Sequence, residues 1–204
     1  MLIQELESRY IMAKLYFRYG AMNCGKTLHL LQTDYNYRKN NLKTIVIKPS
    51  VDTKGGNCIV TRLGLKRKVD LLLRPYDNVR QKLDTKDVVC ILVDEAQFLQ
   101  PHQVEDLWKI AKLSDIPVIC YGLRTTFTSK FFVGSKTLME LADDLDEIST
   151  ICSCGKKAKF NARKIDGEFV TDGAEIAIDG ENDVTYEPLC GKCYIEKVMG
   201  VDMI

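Results

Sequence analysis

The chain has 204 residues, 46% of them hydrophobic, and a formal net charge of +1. That length suits one medium domain with room for a small appendage, and that hydrophobic content excludes wholesale disorder. The near-neutral balance excludes a global electrostatic pull toward nucleic acid or an anionic membrane, so function has to reside in a local site.

Residues 1–12 carry Glu5, Glu7 and Arg9 among apolar residues and lack the basic start and apolar centre of a signal peptide; they read as an extension, with Met12 as an alternative start. No apolar run approaches a membrane span. Residues 14–18 form an aromatic-rich strand candidate, followed by a glycine-bearing turn and a helix over 26–39 with Leu28, Leu31 and Tyr35 at helical spacing. Residues 44–47 read as a buried strand stopped by Pro49, and the polar stretch 52–57, with Gly55 and Gly56, reads as a mobile loop. Residues 88–93 are apolar throughout, as in a central parallel strand covered on both faces. A helix over 104–113, a strand over 118–121 and a short helix over 135–142 complete an alternating pattern that indicates a parallel α/β sheet. After about residue 146 helical periodicity stops and a glycine- and turn-rich stretch follows. The expected organisation is an extension over 1–12, a P-loop α/β domain over 13–146 and a small metal-binding domain over 147–204.

Gly20, Ala21, Met22, Asn23, Cys24, Gly25, Lys26 and Thr27 match G-x-x-x-x-G-K-[ST] at every fixed position. The glycines let backbone N–H groups converge on phosphate oxygens, and the helix start adds its positive dipole end. Lys26 supplies a compact charge to the β- and γ-phosphates, and the Thr27 hydroxyl is a hard ligand for Mg²⁺. The match lies between a strand and a helix, which is the context that nucleotide binding requires. Asp94 and Glu95 close the apolar strand at its carboxyl end, where parallel sheets bind ligands. Asp94 is placed for the Mg²⁺ shell and Glu95 for a general base. A strand ending in Asp-Glu also fits ATPases that polarise water, so a DNA-dependent P-loop ATPase with a zinc finger is the alternative. The charge balance and the lack of a basic stripe with interleaved aromatics speak against it.

Of eight cysteines, Cys152, Cys154, Cys190 and Cys193 fall in two close pairs. Without a secretion signal these read as metal ligands in a reducing cytoplasm before they read as disulfides. Four thiolates suit a closed, structural Zn²⁺ site, and an appendage of about 40 residues with few large apolar groups needs such a staple.

Taken in order, these motifs resemble the zinc-containing thymidine kinases of bacteria, animals and some large DNA viruses, in their enterobacterial form. The resemblance runs from about residue 13 to about residue 196. It rests on the phosphate loop with Met22, on Lys48, Pro49 and Asp52 as K-P-x-x-D, and on Thr61, Arg62, Leu63 and Gly64. Asp94, Glu95, Ala96, Gln97 and Phe98 match D-E-[AG]-Q-F; residues 120–127 and 132–135, Tyr186 and the cysteine pairs follow in order.

The resemblance implies a RecA-like P-loop sheet flanked by helices, with a small carboxyl-terminal zinc domain carrying a lasso loop. It implies transfer of the γ-phosphate of Mg·ATP to the 5′-hydroxyl of thymidine, a homotetramer and inhibition by dTTP. It makes Glu95 the base for the 5′-hydroxyl and brings Gln97 close to the phosphates or the sugar. Phe98, Leu123, Phe127 and Phe132 would enclose the base, with Met22 near its methyl group. The lasso of about residues 176–186, with Ile178 and Gly180, would fold over the nucleoside, and Tyr186 would hold the sugar side. Three features depart from relatives. The first cysteine pair is C-x-C where the animal enzymes have C-x-x-C; the lasso is about two residues longer and lacks the usual I-G-G; and Lys54 stands where many relatives have arginine, and because lysine offers a point charge instead of a planar fork, Arg62 is the more important candidate cation at the transferred phosphate.

Overall fold

The computed structural model describes residues 12–174 and 183–201; residues 1–11 and 202–204 and most of the expected lasso, Ile178 and Gly180 included, lie outside the described residues. In chain order, β1 (Leu15–Tyr19) leads into α1 (Lys26–Lys39) and β2 (Lys43–Pro49). The hairpin β3 (Cys58–Val60) and β4 (Lys66–Lys68) precedes β5 (Leu71–Leu73) and the single turn α2 (Val79–Lys82). Next come β6 (Val88–Val93), a 3₁₀ turn (Ala96–Phe98), α3 (Pro101–Leu113), β7 (Val118–Gly122), α4 (Val133–Leu141) and β8 (Asp144–Glu147). The remainder is β9 (Thr150–Ile151), β10 (Lys157–Ala158), β11 (Phe160–Ile165), β12 (Glu168–Val170), β13 (Val184–Leu189) and α5 (Gly191–Val198).

Six strands form one parallel sheet in the order β5-β2-β6-β7-β1-β8. Side chains of β6 alternate between two cores, as pleating requires. Ile91 and Val93 join Leu107, Ile110 and Leu138 on the face covered by α3 and α4, while Cys90 and Leu92 join Leu30 and Tyr121 on the face covered by α1. This double cover is why residues 88–93 read as one apolar run. α3 begins three residues before the expected start, because Pro101 sits in its first turn and Gln100 and Gln103 close a capping box. Of the expected set on α1, Leu31 packs against the core that holds Cys90 and Leu92, but Leu28 and Tyr35 face outward and Leu30 and Asp34 are buried instead. Asp34 is tolerated there because Thr44 and Arg67 bond its carboxylate. β2 runs through Pro49 instead of stopping before it, and β8 crosses the expected boundary at residue 146.

Beyond β8, β9 and β10 pair, and β12-β11-β13 form a small antiparallel sheet. A third core of Ala158, Ala162, Leu189, Tyr194 and Val198 gathers beside three of the four paired cysteines, with Phe160 stacked on Tyr194. Two hydrogen bonds tie this unit to the loop after β7: the Tyr194 hydroxyl donates to the Phe127 carbonyl at 2.5 Å and Asn161 Nδ2 to the Thr125 carbonyl at 3.1 Å.

Leu92 is fully buried on the central strand. Leu92→Ala is expected to lower the unfolding free energy by about 2–5 kcal/mol in urea titrations. Tyr76→Ala, at a site 96% exposed, should change it by less than about 0.5 kcal/mol.

Candidate active site

The site lies at the carboxyl ends of β1, β6 and β7. Gly20 leaves β1 where a Cβ would sit 2.4 Å from the Ile148 carbonyl and 2.6 Å from Cys24 Sγ, so only glycine fits. Gly25 closes the loop at φ 85°, a left-handed conformation natural to glycine, and α1 begins without a side-chain cap. Its first N–H groups therefore face the loop interior, ready for an anion. The Lys26 ammonium folds back over the loop, 3.0 Å from the Ala21 carbonyl, 3.4 Å from that of Gly20 and 3.6 Å from Cys24 Sγ. The Met22 N–H donates to Asn161 Oδ1 at 2.7 Å, so a side chain from β11 braces the loop.

At the end of β6, Asp94 is 4% exposed, and Thr27 Oγ1 lies 3.4 Å from its Oδ1. These two oxygens could hold a divalent cation between the helix start and the strand end. Glu95 follows in a left-handed conformation, φ 48° and ψ 39°, a form that β-carbon residues adopt at some cost and that recurs at functional sites. Gln97 Nε2 donates to Glu95 Oε2 at 2.5 Å, and Gln97 Oε1 accepts from the Leu123 N–H at 3.0 Å. The backbone of β7 thereby orients the buried amide, and the amide orients the carboxylate. Burial, and then the charge of Glu95, push the Asp94 carboxyl up to about 7, against the pulls of the Glu95 backbone, Lys26 and Thr27.

Two cavities meet here. One, of about 460 Å³, is lined by the polar and charged residues Asn23, Lys26, Thr27, Lys54, Thr61, Arg62 and Asp94, with Gly25 and the apolar Leu28, Val60 and Leu63. The other, of about 130 Å³, is lined by Gln97, Phe98, Thr125, Thr126, Phe127, Phe132, Asn161 and Tyr186. Met22, Asp52, Lys54, Glu95 and Leu123 line both, so Glu95 sits at the junction of a space lined by the phosphate loop and an aromatic slot. Phe98 and Phe132 meet edge to face at 5.7 Å between ring centroids.

The structure thus brings together Met22, Asn23, Gly25, Lys26, Thr27, Arg62, Asp94, Glu95, Gln97, Phe98, Leu123, Phe127, Phe132 and Tyr186. Gly20, Ala21 and Cys24 shape the loop from beneath. Gln97 lies between Glu95 and the Leu123 N–H. Sequence reasoning missed Asn161 and Arg163. Arg163 is 2% exposed; its guanidinium lies 3.8 Å from the Phe127 ring centroid, and it donates to the Tyr186 hydroxyl at 2.9 Å and the Ala174 carbonyl at 2.6 Å. Both residues sit on β11, which has no clear alternation to announce a strand, so nothing marked their side chains as inward. Asp52 was legible in its motif, but its place at both cavities was not.

Away from this site, Cys152, Cys154, Cys190 and Cys193 converge with all four sulfurs within 4.8 Å of one another. A tetrahedral site with metal–sulfur bonds of about 2.3 Å needs sulfurs about 3.8 Å apart. The donor set therefore fits a thiophilic ion, and the C-x-C pair contributes both of its thiols.

The raised Asp94 carboxyl has a consequence for stability. From the ordinary aspartate value of 3.8 up to about 7, the unfolded chain ionises while the folded one holds its proton, so rising pH costs the ligand-free protein stability across that window. Asp94→Asn removes this cost: its thermal midpoint without ligands should exceed that of the wild type at about pH 8, by a margin that narrows as pH falls. A margin independent of pH would refute the assignment.

The family model described as thymidine kinase matches residues 13–194. A thymidine kinase of Pasteurella multocida (strain Pm70) is 44% identical over 192 residues, covering 92% of this chain and 99% of that protein. One of Haemophilus influenzae (strain ATCC 51907 / DSM 11121 / KW20 / Rd) is 44% identical over 191 residues, 91% of this chain and 98% of the relative. That of Enterobacteria phage T4 is 40% identical over 190 residues, 91% and 97% of the two chains. Among solved structures, the Legionella pneumophila ATPase DotB aligns over 76% of this chain and 46% of its own at 17% identity, with a TM-score of 0.41, too weak a likeness to carry weight. With a family model matching residues 13–194 and relatives covering about nine-tenths of it, the chain belongs to the thymidine kinase family.

Proposed function

We propose that this protein transfers the γ-phosphate of ATP to the 5′-hydroxyl of thymidine, giving dTMP and ADP. The observation that carries the reading is Glu95 at the junction of the two cavities, with phosphate-loop residues on one side and aromatic rings on the other. The triphosphate takes the larger cavity. Lys26 exchanges its contacts with the loop carbonyls for oxygens of the β- and γ-phosphates, and the loop N–H groups take the rest. Thr27 and Asp94 would hold the Mg²⁺ that arrives with ATP and neutralises phosphate charge. Thymidine enters the aromatic slot, where Phe98, Leu123, Phe127 and Phe132 enclose the base with Met22 near its methyl group, and Tyr186 takes the sugar side. Glu95, held by Gln97, accepts the 5′-hydroxyl proton as the O5′–P bond forms and the bond to ADP breaks. Lys54 and Arg62 face the transferring phosphate.

In this reading residues 13–146 form the ATP-binding domain and 147–204 the lasso domain, with Zn²⁺ on the four cysteines as its staple. A homotetramer in the cytoplasm belongs with it. Inhibition by dTTP belongs with it too, since dTTP joins a base that suits one cavity to phosphates that suit the other. The alternative of a DNA-dependent ATPase has the family membership against it.

The deciding experiment supplies purified protein with Mg·ATP and a panel of nucleosides, with Glu95→Gln alongside. Thymidine should yield dTMP, deoxyuridine should react more slowly, and the variant should lose about 10²–10⁴-fold in kcat. ATP consumption without any nucleoside monophosphate would overturn the reading. The metal is tested separately by strong chelation under reducing conditions. About one Zn²⁺ per chain should be released, and residues 150–198 should become protease-sensitive before the parallel sheet does.

A further inference from the structure

Lys48 is the last but one residue of β2, and its side chain is fully buried. A lone ammonium at such a site would be prohibitively costly, so its partners are informative. Nζ lies 2.9 Å from Asp52 Oδ2 and bonds the carbonyls of Lys54, Gly56 (3.4 Å) and Cys58 (3.5 Å). One carboxylate and three main-chain oxygens from a single loop thus surround one cation. The loop can turn its carbonyls inward because Gly55 and Gly56 adopt positive φ, 75° and 57°. At Gly55 a Cβ would lie 2.8 Å from the Cys58 carbonyl, so the chain there has no room for another residue.

The loop is the outgoing limb of the β3–β4 hairpin, and it carries chemistry. Asp52 and Lys54 line both cavities, and Thr61 and Arg62, past β3, line the phosphate side. The returning limb is tied independently: Arg67 on β4 bonds Asp34 of α1 at 3.1 Å and Asp70 at 2.9 Å. The outgoing limb has Lys48 in the equivalent place.

We propose that Lys48 is a positioning residue for phosphoryl transfer: its buried ammonium acts as a fixed internal cation that folds the loop of residues 52–58 and so sets Lys54 and Arg62 over the transferring phosphate. The inference rests on the reaction assigned above. Without the charge, the carboxylate and three carbonyls face one another unscreened, the limb swings out, and the two cations leave the phosphate. Asp52, Thr53 and Lys54 line part of the aromatic slot, but Phe98, Phe127, Phe132 and Tyr186 come from other elements, so thymidine binding suffers less than the rate.

The test is Lys48→Met, similar in length but uncharged, beside Lys48→Arg and the wild-type holoprotein. Kinetics with Mg·ATP and thymidine are combined with limited trypsin digestion after Lys54 and Arg62. The proposal expects Lys48→Met to lose about tenfold or more in kcat, with less than about threefold change in the KM for thymidine, and faster cleavage at both positions. Lys48→Arg should recover part of the rate. Unchanged cleavage, a retained kcat, or a loss shared equally with the thymidine KM would overturn it. Should Lys48→Met fail to fold, acetylation of the wild-type protein with an N-hydroxysuccinimide ester decides: Lys48 must resist while Lys54 reacts, and equal labelling refutes the internal cation. A wild-type protein that makes no dTMP counts against the reaction, while cleavage and labelling still judge Lys48.

Discussion

Two carboxylates held side by side at the end of a buried apolar strand are the constraint on which the rest of this structure depends. Asp94 and Glu95 repel each other, and burial penalises the charge on Asp94. Everything around them either offsets that cost or exploits it. Lys26 and Thr27 approach from the phosphate loop, and Gln97 donates to the carboxylate of Glu95, which follows Asp94 in a left-handed backbone conformation. A cation between Thr27 and Asp94 would relieve the same strain, which makes binding of a metal-bearing phosphate the natural resolution of the site's electrostatics.

A second theme is the use of buried polar side chains as ties between elements distant in sequence. Asn161 joins β11 to the phosphate loop and to the loop after β7; Arg163 joins β11 to Phe127 and Tyr186; Asp106 on α3 accepts from the Val79 N–H. No buried side-chain nitrogen or oxygen among the described residues lacks a partner. Such ties hold their geometry within narrow limits because a broken one leaves a buried polar atom unsatisfied. They link the cysteine-bearing unit to the catalytic loops, so its folding bears on the site although its sulfurs lie elsewhere. Lys48 belongs to this set, with the difference that it organises a single loop instead of joining two elements.

Much of the site was legible before any coordinates. The phosphate loop is a contiguous motif because its backbone has to wrap one anion, and the all-apolar β6 announced both a central strand and the significance of the acidic pair at its end. The four cysteines could be paired by eye because chelation demands short spacings. Less legible was the face of α1, where Asp34 instead of Tyr35 turns inward. Helical spacing of apolar residues cannot announce a buried aspartate, whose partners Thr44 and Arg67 come from other elements. The loop of residues 52–57 was legible as a glycine-bearing loop, but that Gly55 and Gly56 adopt the positive φ that turns its carbonyls toward Lys48 was not.

By itself, then, the sequence determined the parallel α/β class, the phosphate loop, the acidic strand end and the four-thiol cluster, since each is written in local spacing or in the character of one strand. Only the tertiary structure decided that Glu95 lies where two cavities meet, that Gln97 is turned by the Leu123 N–H, and that Asn161, Arg163 and Lys48 are buried polar struts. The reason is physical. A motif that wraps one ligand is local along the chain, whereas the partner of a buried polar group is set by whichever strand or loop the packing brings within about 3 Å of it.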